Sequence, residues 1–144
     1  MSTCIKHTVK ALLLGLFCLT LSISLIACGD GIDTDEAKAF INDFFEAVSA
    51  DDFEKANTFL HPERPADIKT FFEGVESETG VDFSSGIEIE KYSGFRYSYY
   101  DSSVGGSAYE VTIKASVGDK AIEFVVEIVK NDQGYGIYNF DIDT

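Results

Sequence analysis

The sequence predicts an α+β domain, with N-terminal helices packed on one face of a curved four-stranded antiparallel β-meander, after a cleaved signal peptide. Three observations predict it. The first is an apolar N-terminal run that ends at a cysteine. The second is apolar spacing of three and four residues up to Gly80, and the third is a change to a period of two from Ile87 onward.

The N-terminal run sets the domain boundaries. MSTCIKHTVK is polar and basic, and Ala11 to Ile26 is apolar apart from small Gly, Ser, Thr and Cys residues. That stretch is short for a spanning helix, which needs about 20 residues, and the acidic chain after it lacks a stop-transfer flank. Residues 1–27 therefore read as a signal peptide, 28–34 as a tether and 35–144 as one α+β domain. Lys6 and Lys10 are the only formal charges before Cys28, so 9 of the 11 basic residues face all 25 acidic ones afterwards, a net −16. A surface of that sign repels phosphates, so no nucleic acid partner is expected.

Asp33, Thr34 and Glu36 mark a helix start, and Ala37, Phe40, Ile41, Phe44 and Val48 share one face beyond it. Asp51 and Glu54 repeat the cap pattern for a short second helix through Phe53, Ala56, Asn57 and Leu60, which His61-Pro62 stops. A third helix starts near Pro65, carries Ile68, Phe71, Phe72 and Val75 on one side, and ends at Gly80.

In the second half the turn residues set the strand register. Gly118-Asp119 suits a two-residue turn that pairs Val117 with Lys120. It places Tyr109, Val111, Ile113 and Ala115 opposite Ile128, Val126, Phe124 and Ile122, all on one face. Asp132-Gln133-Gly134 fits a three-residue loop that pairs Asn131 with Tyr135 and continues the same face as Tyr138 beside Ile128, Phe140 beside Val126 and Ile142 beside Phe124. The first strand has two registers. A tight Gly105-Gly106 turn sets Tyr100 against Val111 and turns Phe95, Tyr97 and Tyr99 outward, and a shift of one residue turns those three inward.

Two stretches carry family resemblances. Leu25-Ile26-Ala27-Cys28 resembles the bacterial lipobox. The resemblance implies a diacylglycerol thioether on Cys28, cleavage before it, and often a further acyl chain such as palmitate on the freed amine. It makes the protein a cell-envelope lipoprotein on the extracytoplasmic side of the inner or outer membrane, since two or more chains anchor stably. The segment Ser49-Ala50-Asp51-Asp52-Phe53-Glu54-Lys55-Ala56, followed by helix and a meander ending in Gly134-Tyr135-Gly136-Ile137, resembles the nuclear-transport-factor-two-like, or cystatin-like, lipoproteins. That family implies a cone-shaped cavity between helices and sheet, used by some members for catalysis and by others for binding.

No residue set matches a catalytic motif, no cofactor is implied, and a non-catalytic domain is expected. A lone His61 beside Pro62 reads as a loop residue and makes no zinc site. The outer-face carboxylates, with Glu110, Glu127 and Asn139 in one row and Glu123 and Asp143 in another, read as a solvated acidic face rather than a calcium site, so no metal is expected. Two functions follow. One is a protein-interaction module whose surface of Phe95, Tyr97, Tyr99 and Tyr100 docks an envelope protein or a second copy. The alternative is a pocket of Tyr109, Tyr138, Phe124 and Phe140 that takes a small apolar or amphipathic ligand.

Overall fold

The computed structural model describes residues 31–99 and 105–143, with side chains of 97–99 not described. Cys28, Tyr100 and the signal peptide lie outside the described residues. The chain forms three helices, α1 (Thr34–Ser49), α2 (Phe53–Asn57) and α3 (Ile68–Thr79), and a 3-10 turn at Phe83–Ser85. Four strands follow: β1 (Ile87–Tyr99), β2 (Ser107–Val117), β3 (Lys120–Asn131) and β4 (Gly134–Asp143). They form one antiparallel sheet in the order β1-β2-β3-β4.

Each helix begins where an aspartate can cap it. The Asp33 carboxylate accepts from the Asp35 and Glu36 amides, both at 2.9 Å, and satisfies two of the free N–H groups of α1. In α2 the cap is Asp52, which accepts from Lys55 N at 3.0 Å, rather than Asp51, which takes a left-handed φ of 54° in the turn. Helix α3 is capped by Asp67 and starts three residues later than Pro65 suggests. Gly80 closes it in the left-handed conformation. The two bonds from Thr70 hold the Asp67 carboxyl below its ordinary range.

The β2–β3 hairpin has the register that its turn dictates: Val117 pairs with Lys120, and Tyr109, Val111, Ile113 and Ala115 pair with Ile128, Val126, Phe124 and Ile122. All eight are buried against the helices. The β3–β4 connection departs from expectation. Asn131 pairs with Gly134 rather than Tyr135, because its Oδ1 accepts from both Gln133 N and Gly134 N and closes a two-residue turn. A bulge between Ile137 and Tyr138 then absorbs one residue, so Ile137 takes the place beside Ile128, while Phe140 and Ile142 still meet Val126 and Phe124.

The first strand follows neither simple turn. Two bulges, between Ile89 and Lys91 and between Ser93 and Arg96, advance its register until Tyr97 pairs with Tyr109 and Tyr99 with Ser107. Those positions share the row that carries the core in β2, and the expected pairing of Tyr100 with Val111 lies outside the described residues. Gly106 lies outside a tight hairpin. A Cβ there would collide with the Lys130 carbonyl oxygen, so glycine is required by the close approach of β3.

Phenylalanines fill the space between helices and sheet. Phe44 lies at the centre, with ring centroids 5.6 Å from Phe45, 6.3 Å from Phe72 and 5.5 Å from Phe140. Phe45 meets Phe124 at 4.7 Å, and Phe72 meets Phe83 edge-on at 4.8 Å. Tilted and edge-to-face ring contacts of this kind add to the stabilisation that burial gives.

Candidate functional site

The segment between α2 and α3 passes so close to β4 that it becomes part of the sheet edge. His61 N donates to Ile137 O and Ile137 N donates to Phe59 O, both at 2.8 Å, giving a single parallel bridge between Leu60 and Ile137. Glycine permits this approach. A Cβ on Gly136 would stand 2.6 Å from His61 N and 2.7 Å from Leu60 C, and one on Gly134 would stand 3.0 Å from the Pro62 ring.

His61, expected as a loop residue, is fully buried at this junction. Its Nδ1 accepts from Glu63 N at 3.2 Å, which leaves the proton on Nε2, facing Asn131 Oδ1 at 3.1 Å and Gly134 O at 3.3 Å. Asn131 Nδ2 donates in turn to Glu63 Oε2 at 2.8 Å. Both ring nitrogens are committed to holding the linker against the β3–β4 turn. The sequence signal was present: Pro62 restricts His61 to an extended backbone, and an extended residue facing two closely spaced glycines can pair with a strand.

The bulge swings Tyr138 away from Ile128 and places its ring 5.5 Å from the His61 ring, beneath the Arg64 guanidinium at 4.7 Å. Arg64 Nη2 also donates to Asn139 Oδ1 at 3.3 Å. Beside these groups lies a groove of ≈ 250 Å³ between the β4 edge and the start of α3, walled by Leu60, Ile68, Phe71, Tyr138 and Phe140 with Arg64 at its rim. Phe71 is one of two large hydrophobic residues that are well exposed among those described; the other is Phe95. A second depression, of ≈ 470 Å³ between α1 and the start of β1, is more polar, with Asn42, Glu46 and Ser49 beside Phe45, Ile87 and Ile89.

The four residues expected to form one internal pocket are therefore divided. Tyr109 and Phe124 are buried in the packed interior and Tyr138 lines the external groove, while Phe140 belongs to both, its ring 5.6 Å from that of Phe124. Among the described residues the hydroxyls of Tyr109 and Tyr135 are buried without a hydrogen-bond partner; burial pushes both up to about 12, reinforced at Tyr109 by Tyr92 and Asp35 and at Tyr135 by Glu36 and Asp33.

Of the expected interaction surface, Phe95 is 53% exposed, stacks at 6.0 Å on the Tyr109 ring and lies 5.4 Å from Lys38 Nζ. The outer-face rows form as expected, Glu110 with Glu127 and Asn139, and Glu123 with Asp143. They are not uniformly solvated, however. Glu127 is buried and accepts from Asn139 Nδ2, and neighbouring Ala108 and Val129 are buried too. Glu110 lies 3.8 Å from Arg96, and Lys114 is the same distance from Glu123. Among the described residues no three His, Cys, Asp or Glu side chains are placed to hold a metal ion, and no helix is long and apolar enough to cross a membrane.

Compared with known proteins, the chain matches no family model, no curated protein and no solved structure.

Proposed function

We propose that this protein is a lipid-anchored, extracytoplasmic interaction module, and that it works through its exterior rather than through an internal cavity. The observation that carries the reading is the Phe71 groove beside the open edge of β4. Beyond Ile137, β4 has no strand next to it among the described residues. An edge of this kind accepts an extended segment by strand addition, with side chains entering an adjoining pocket. The Leu60 bridge already uses the edge in this way once.

The occupant that fits is an extended peptide segment of a partner protein, with an apolar side chain for Phe71, Leu60 and Phe140 and a carboxylate for Arg64. An aromatic residue beside an arginine is the composition of an energetic centre in protein interfaces. The lipobox at Leu25–Cys28 supports the anchor. The order of helices before an antiparallel meander is compatible with a cystatin-like origin.

The test is a photoreactive amino acid placed at Phe71, and separately at Asp119 in the β2–β3 turn, in the lipidated protein in cells. Irradiation should give a discrete protein adduct from position 71 that Arg64→Glu abolishes, and none from 119. Equal adducts at both positions, or none at 71, would contradict the reading.

A further inference from the structure

We propose that the end of the domain formed by the start of α1, the β3–β4 turn and the neighbouring stretch of β1 rests on the lipid surface, with Phe95 as a second, non-covalent contact to lipid. This rests on the anchor at Cys28 and assigns a partner to the exposed aromatic position that the groove leaves unused.

The argument begins where the chain enters the fold. Ile32 is 7% exposed and belongs to the core, and Lys130 Nζ donates to Gly31 O at 3.4 Å. Lys130 is the penultimate residue of β3, paired with Ser107 at the start of β2 and Tyr135 near the start of β4. The chain therefore enters at one defined end of the sheet and is fixed there. Only three residue steps separate Cys28 from Gly31, a reach of at most about 11 Å even when fully extended. The acylated sulfur lies in the headgroup region, so this end is held close to it whatever path those residues take. The opposite end, at Gly118-Asp119, lies the 11 residues of β2 away, or about 35 Å.

Three to four residues in from that end, opposite Glu110 and Val111 of β2, the first strand carries a group that suits a lipid interface. Phe95 is more than half exposed and packs by the second turn of α1, where Lys38 Nζ lies 5.4 Å from its ring and 5.7 Å from that of Tyr92. An apolar ring below a lysine amine is the arrangement that lets the ring enter the acyl boundary while the amine stays among headgroups. The groove of Phe71 lies by contrast along the β4 edge, at the other side of the sheet, free to meet a protein.

The test uses the lipidated protein, reconstituted into vesicles of zwitterionic phosphatidylcholine and phosphatidylethanolamine. A single cysteine replaces Phe95, Asp132 or Asp119 in turn and carries a nitroxide. Relaxation by lipid-soluble oxygen should exceed that by a water-soluble nickel reagent at position 95. Asp132 should show intermediate behaviour, and position 119 should be accessible to the water-soluble reagent alone. Equal water exposure at 95 and 119, or deeper placement of 119, would overturn the orientation. A position 95 shielded from both reagents would mean that protein covers it, and would overturn the lipid assignment. Mass spectrometry of the same sample separates the two ideas: without acyl chains on Cys28 the anchor fails and this inference with it, whereas an acylated sample with the wrong label depths overturns the orientation alone.

Discussion

Replacing Gly136 with alanine adds one methyl group where the linker between α2 and α3 crosses β4. Its backbone φ is not in the left-handed region, so alanine is conformationally acceptable and the change isolates the steric contact. The new Cβ would sit 2.6 Å from His61 N and 2.8 Å from His61 Cα, both backbone-borne atoms that cannot rotate away. The linker must retreat, and with it go the two 2.8 Å hydrogen bonds that join Phe59 and His61 to Ile137. Two backbone hydrogen bonds contribute about 1 kcal/mol each, and loosening the buried His61 adds about 1 kcal/mol more. The lower chain entropy of alanine in the unfolded state offsets about 0.5 kcal/mol. The net expected loss is about 2 to 3 kcal/mol, or roughly 10 °C in melting temperature for a domain of this size. Gly74→Ala is the matched control, since nothing lies within 4 Å of its Cβ in the middle of α3, and helix propensity should raise stability by about 1 kcal/mol. Urea melts monitored by circular dichroism compare both with wild type. A loss below about 1 kcal/mol for Gly136→Ala would refute the claim that the linker is locked to β4.

Val126→Asp should unfold or severely destabilise the domain, by about 3 kcal/mol or more, because Val126 is fully buried among apolar groups and a lone carboxylate has no partner there. Val125→Asp, one residue away on the half-exposed opposite face, should cost about 1 kcal/mol or less; equal losses in thermal melts would contradict the sheet register. Tyr109 and Tyr135 should ionise near 12, above the ordinary value of 10, so the native state retains protons that the unfolded state has released. Their contribution to stability is complete below pH 10 and lost as pH rises through 12; ultraviolet titration should show these two of the seven tyrosines ionising last or only on unfolding, after Tyr92, which burial also raises.

The β2–β3 hairpin was fully legible because a Gly-Asp turn and an alternating apolar row agree, and every expected pair forms. The helix starts were legible as acidic caps, with errors of one residue at Asp52 and three at α3. What was hidden depends on contacts distant in sequence. The turn length at Asn131 is decided by its own side chain, but the slip at Tyr138 depends on Leu60–Pro62 arriving from about 75 residues earlier. The groove inherits that dependence: Tyr138 and Phe140 were singled out, yet their partners Phe71 and Arg64 come from a different element. The two bulges of β1 leave no local sequence mark strong enough to choose between registers.

The central claim is that this fold is held at a membrane through Cys28, and intact-mass spectrometry of the protein purified from the membrane fraction tests it most directly. The expected species begins at Cys28 and carries a diacylglyceryl group, with or without a further acyl chain; Cys28→Ser should leave the precursor unprocessed or free in solution. A protein that retains residues 1–27, or that is cleaved elsewhere and carries no lipid, would contradict the claim.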